Sequence, residues 1–79
     1  MINAYILIAM EPGGSDKAIK EMRKIQRIEK ISIVAGEYDI VVRVHVETLE
    51  DLLHVTDKIH LITGVKKTTT QVIEKELSL

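Results

Sequence analysis

Residues 3–10, Asn-Ala-Tyr-Ile-Leu-Ile-Ala-Met, are apolar at nearly every position. Periodicity alone does not separate a strand from a buried helix in such a run. Its length and the breaker Glu11-Pro12-Gly13-Gly14 that follows predict a strand. Ser15 then offers an N-cap oxygen, and Asp16 suits the positive end of a helix. Ala18, Ile19, Met22, Ile25 and Gln26 fall on one side at 3–4 spacing, with the charged residues from Lys17 to Arg27 on the other. That pattern predicts an amphipathic helix over 15–28. Ile31 to Ala35 reads as a second strand, and Gly36-Glu37-Tyr38-Asp39 as a turn in which Gly36 is free to take a positive φ. From Ile40 to Val46 the alternation is clear: Ile40, Val42, Val44 and Val46 point one way, Val41, Arg43 and His45 the other. Thr48-Leu49-Glu50-Asp51 resembles a capping box with a shorter acid. The helix it opens is expected to run to about Ile62 and to bury Leu49, Leu52, Leu53, Thr56 and Ile59, with Gly64 as its stop. A last strand starts at Val65, carries the Thr68-Thr69-Thr70 run and ends in a charged tail towards Leu77.

The order is βαβ followed by βαβ, the second half echoing the first in spacing but not in residues. Two right-handed units of this kind interleave into an α+β, ferredoxin-like βαββαβ domain, a four-stranded antiparallel sheet with both helices on one face. The 79 residues leave room for this one domain, expected to span 1–79.

The sheet face away from the helices should be polar in a solitary chain. The first strand is instead apolar on both sides, at Ala4, Ile6 and Ile8 and at Tyr5, Leu7 and Ala9. Burying about 500 Å² of such surface per chain is worth on the order of 10 kcal/mol before association costs. A small domain with a marginal core needs staples or partners, and this one has no cysteine. A homodimer packed sheet face to sheet face is therefore expected.

Composition narrows the function classes. The net charge of −1 gives no global field for nucleic acid or an acidic membrane. The apolar run is too short to span a bilayer, no leader pattern is read around it, and the expected location is the cytoplasm. Neither a Cys–His pair, a Gly-x-Ser-x-Gly elbow nor a phosphate loop is present, and His45, His54 and His60 are too scattered for a zinc cage. No catalytic residue, metal or cofactor is assigned. Lys17, Lys20, Arg23, Lys24, Arg27 and Lys30 are interrupted by acids and lack interleaved aromatics, which reads as a solvated helix face, without direct nucleic-acid binding. Pro12-Gly13-Gly14 reads as a plain turn before an anion site. The Gly36–Asp39 turn and the threonine run serve hairpin and strand first, though their hydroxyls and carboxylate are able to hold a small polar ligand.

Val34-Ala35-Gly36-Glu37-Tyr38-Asp39-Ile40-Val41-Val42 nevertheless resembles the Gly-x-Tyr-Asp turn of the effector-binding (RAM) domain of the Lrp/AsnC transcriptional regulators. Gly64, Val65, Lys67, Thr68 and Thr70 are similar to that family's Gly-Val-x-basic-Thr-x-Thr strand, and Ala4 to Ile8 with Pro12-Gly13 fits its opening. The resemblance implies a homodimer, a higher assembly of four dimers into an octamer, and a free amino acid as effector in clefts where dimers meet. It also implies ligand-binding roles for Gly36, Tyr38, Asp39, Thr68 and Thr70, and full-length Lrp/AsnC regulators as partners. Two departures stand out: Met1 lies two residues before the first strand, leaving no helix-turn-helix domain ahead of it, and Thr63 stands where the family often has proline. A module that senses rather than catalyses is the expectation. A dimeric α/β-barrel enzyme and an ACT-like regulatory subunit share the fold, the first with acid–base groups between sheet and helices, the second with a pocket between helix and strand edges.

Overall fold

The computed structural model describes residues 1–79. The elements are β1 (Ile2–Met10), α1 (Ser15–Met22), β2 (Ile28–Ile33), β3 (Ile40–Val46), α2 (Leu49–His60) and β4 (Val65–Val72). The strands form one antiparallel sheet in the order β2-β3-β1-β4, so the first strand of the sequence lies in the interior and β2 and β4 are the edges. This is the expected ferredoxin-like arrangement.

Alternation along the central strands places the core. Ala4, Ile6, Ile8 and Met10 of β1 and Ile40, Val42, Val44 and Val46 of β3 are buried under the helices. Ala18 and Met22 of α1 and Leu52, Val55 and Ile59 of α2 close the layer from above. All thirteen buried residues are apolar, so the layer between sheet and helices contains no buried acid or base. No helix is long and apolar enough to cross a membrane.

The helices differ from their sequence expectations in three ways. α1 stops at Met22, six residues before the expected end at Ile28. Lys20, Arg23, Lys24 and Arg27 would stand at i,i+3 and i,i+4 spacing in a longer helix, and like charges so placed repel. The chain instead closes with tight bonds from Lys24 N to Glu21 O and Ile25 N to Met22 O, then reverses at Arg27 with φ +82°. That lets β2 begin at Ile28 instead of Ile31, with a register shift between Ile28 and Lys30 where it joins β3. Gly14, not Ser15, occupies the N-cap position of α1, and no side chain caps it. In α2 the buried stripe is Leu52, Val55 and Ile59, while Leu49 and Leu53 face solvent. The α2 cap is as expected: Thr48 Oγ1 accepts from Asp51 N at 3.1 Å.

The loops β1–α1 and α2–β4 lock together at one end of the sheet. Glu11 N donates to Gly64 O at 2.8 Å. Gly64 has φ +93°, and a Cβ there would lie 3.2 Å from Met10 Cε and 3.7 Å from Gly14 Cα. Backbone geometry at these two turns predicts opposite mutational signs. Arg27→Gly relieves a left-handed backbone and should stabilise the domain by about 0.5–1 kcal/mol. Gly64→Ala should destabilise it by about 1–2 kcal/mol. Urea denaturation of the two variants checks both, and equal midpoints would overturn the assignment.

Candidate functional site

The Gly36–Asp39 turn sits at the end of β1 and β3 and is fastened there by its own side chains. Gly36 takes φ +144°, a conformation that strains any residue with a Cβ. Val34 N donates to Asp39 O at 2.9 Å, and Asp39 N donates to Ile8 O at 2.9 Å. Asp39 Oδ2 accepts from Met10 N at 2.7 Å, beside the register shift between Ala9 and Met10 in the β1–β4 ladder. The carboxylate thus satisfies a main-chain donor on the β3 side of β1, just past the last β1–β3 pair, Ile8 with Ile40. Tyr38 lies half-buried against the outer sheet face, the face away from the helices, and its hydroxyl shares a 3.0 Å hydrogen bond with Thr69 Oγ1. Lys67 Nζ stands 6.0 Å from the Tyr38 ring centroid, the outer limit of a cation–π contact.

The register decides which threonines join this group. Leu7 is paired with Thr69, while Ile6 and Ile8, both buried under the helices, are paired with Thr70 and Thr68. Residues directly opposite in an antiparallel pair share a face. Thr69 and Lys67 therefore stand on the outer face with Tyr38, and Thr68 and Thr70 on the helix side of the edge strand. Thr68 Oγ1 is 2.7 Å from His60 Nε2 at the end of α2. The structure brings Gly36, Tyr38 and Asp39 together, adds Thr69 and Lys67, and sets Thr68 and Thr70 across the sheet from Tyr38. Sequence reasoning missed Thr69, although alternation within the run places it opposite its two neighbours.

The rest of the outer face is more polar than the first strand alone suggests. Tyr5, Leu7, Ala9 and Val41 form its half-buried apolar middle. At the end away from the turn, Arg43 reaches Glu29, Asn3 Oδ1 at 3.4 Å and Glu76 Oε1 at 2.7 Å. Tyr5 donates its hydroxyl to Glu76 Oε2 at 3.0 Å, and His45 Nδ1 meets Asn3 Oδ1 at 2.6 Å. The Arg43 hydrogen bond, then that of Tyr5, with the charges of Arg43 and Lys30 adding, holds the Glu76 carboxyl below the usual glutamate range against a small desolvation cost. The Arg43 guanidinium is correspondingly raised, chiefly by its bond to Glu76.

A separate cleft of about 430 Å³ opens between α1 and the edge strand β2. Ile19, Met22, Ile25, Ile28 and Ile31 line it, with Arg23, Glu29 and Lys30 among its remaining residues.

Residues 3–78 match the family described as the Lrp/AsnC ligand binding domain. The chain belongs to that family. It is 30% identical over 73 residues to the uncharacterized HTH-type transcriptional regulator PH0140 of Pyrococcus horikoshii, covering 91% of this chain and 46% of that protein. It is also 30% identical over 74 residues to the HTH-type transcriptional regulator FL11 of Pyrococcus furiosus, covering 94% and 49%. This chain thus spans about half the length of these relatives. Among solved structures, TTHA0845 of Thermus thermophilus superposes with a TM-score of 0.91 over all of both chains at 25% identity. The feast or famine regulatory protein of M. tuberculosis, solved in complex with L-methionine, superposes with a TM-score of 0.85 at 24% identity, over 100% of this chain and 54% of its own. At that identity the likeness is one of fold.

The lowered Glu76 carboxyl has a pH signature with a definite sign. A contact that favours the ionised form contributes in full above the ordinary glutamate pKa and is lost as the pH falls through the lowered, folded-state value. An NMR carboxyl titration should place the Glu76 midpoint below the ordinary glutamate value, and Arg43→Gln should bring it back up towards that value. A midpoint that ignores Arg43→Gln would remove the ion pair from the account.

Proposed function

We propose that this chain is an effector module of the Lrp/AsnC kind that binds a free amino acid, acts as an oligomer and modulates transcription by Lrp/AsnC-type regulators. The observation that carries the reading is the fastened Gly36–Asp39 turn within a chain that matches the family's ligand-binding domain from residue 3 to 78. The L-methionine complex of the mycobacterial fold neighbour supports an amino acid as the class of ligand.

Chemically, the turn offers complementary groups. Asp39 Oδ1 carries negative charge for an α-amino group while Oδ2 is engaged by Met10 N. The backbone N–H of Gly36 suits a carboxylate, and the Tyr38 and Thr69 hydroxyls orient it. In an assembly of dimers, Thr68 and Thr70 of the edge strand would reach the ligand from a neighbouring dimer's side of the cleft. The half-buried apolar middle of the outer face would hold each dimer, and four dimers would close the ring. A location in the cytoplasm follows from the proposed role.

Calorimetry across the twenty amino acids tests the ligand. At least one should bind, and Asp39→Asn should weaken it about tenfold or more, because the amide keeps an oxygen for Met10 N but loses the charge. Heats of dilution alone for all twenty would sink the reading. Native mass measurement tests the assembly: dimers and their multiples are expected at micromolar concentration, and a persistent monomer would contradict it.

The α1–β2 cleft favours a second reading, the ACT-like one, in which a ligand sits between helix and strand edge. Chemical-shift mapping separates the two, since the first moves Tyr38 and Thr69 and the second Ile25 and Ile31. The barrel-enzyme reading placed acid–base groups between sheet and helices, where the buried side chains are all apolar.

A further inference from the structure

The outer face assigned above to a second copy of the chain is partly covered by the chain's own C-terminal segment. After β4, Ile73 N still donates to Asn3 O at 2.8 Å. Residues 74–79 then form no helix or strand, are exposed, and place Glu76 on Tyr5 and Arg43. Tyr5 and Arg43 are register partners on β1 and β3, the two interior strands. The Glu76 carboxylate is therefore held above the interior strands, and the chain that carries it turns back over the sheet face instead of continuing along β4. Its position is set by one carboxylate held on two donors, Arg43 on one oxygen and the Tyr5 hydroxyl on the other.

Two sheets packed face to face stand about 10 Å apart, a gap that their side chains fill. An additional stretch of main chain does not fit between them. The segment and a second copy therefore compete for the Tyr5–Arg43 half of the face. Lifting the segment leaves no stranded charge, because Arg43 keeps Glu29 and Asn3 as partners. It uncovers a tyrosine beside an arginine, residue types enriched where proteins associate, continuous with the apolar Leu7–Val41 patch. We propose that residues 74–79 are a strap pinned by Glu76 over the self-association face, and that a second copy of this chain docks there when the pin is released. The proposal rests on the reading of the outer face as the dimer face.

Sedimentation equilibrium of the 79-residue chain tests it. Glu76→Gln, at an exposed position, should tighten the dimer about 1.5-fold to fivefold for each strap released at low ionic strength, the range of a paired surface carboxylate. Added salt should narrow the difference between that variant and the parent. Leu7→Arg, and Val41→Lys as a second probe on the neighbouring strand, should abolish association in both backgrounds. If these two abolish it while Glu76→Gln leaves the dimer unchanged or weaker, the strap is overturned and the dimer face stands. If neither of them alters association, or if no variant associates, the dimer face and the strap fall together.

Discussion

Everything in this domain hangs on β1. It is hydrogen-bonded along both edges, to β3 and to β4, and it carries apolar side chains on both faces. One face, Ala4 to Met10 in alternation, is completely buried by α1 and α2. The other, Tyr5, Leu7 and Ala9, is only half-covered. A strand in that position could carry polar strand-formers such as threonine outward, as β4 does, whereas an apolar outer side left bare invites association. The half-covered state is a compromise between these, and the polar frame around it, Arg43 with Glu29 and Glu76, limits the apolar area to the middle of the sheet.

The candidate site is built onto the same strand. Asp39 has a structural part in the strand itself: it prolongs the hydrogen bonding of β1 past its last pair with β3 by accepting from Met10 N. Tyr38 is tied to the far edge of the sheet through Thr69. The turn therefore spans from β3 across β1 to β4, and its side chains are displayed by a scaffold rather than by a free loop. This fits membership of a family whose matched domain is a ligand-binding one. The glycines at the same end serve packing: Gly64 and Gly14 allow the two loops to meet against Met10.

Much of this was legible in the residues, and the parts that were not share a physical cause. The clean alternation of Ile40 to Val46 and the breaker after Met10 fixed the interior strands because each signal is local. The Gly36 turn was equally plain. The end of α1 was hidden because no glycine or proline marks it; repulsion among Lys20, Arg23, Lys24 and Arg27, and the pull of Ile28 towards β3, end the helix instead. In α2, Leu49, Leu52, Leu53, Val55 and Ile59 permit more than one apolar stripe, and only docking on the sheet selects Leu52, Val55 and Ile59. The sidedness of Thr68, Thr69 and Thr70 depends on the register with β1, which lies some sixty residues away along the chain. The Arg43–Glu76 pair is likewise invisible to any short window, because its members meet only after the sheet has formed.

The bond from Met10 to Asp39 has a mechanical side. The turn holds β1 by two main-chain links, Asp39 N to Ile8 O and Met10 N to Asp39 Oδ2. Leu7 and Ala9, the residues that β1 presents outward there, are immediate neighbours of those anchor points. Turn and sheet end therefore move as a single lever: a force applied to the carboxylate is delivered to the backbone of the very strand that lines the outer surface. In such a molecule the position of the turn and the shape of the sheet are not two variables but one.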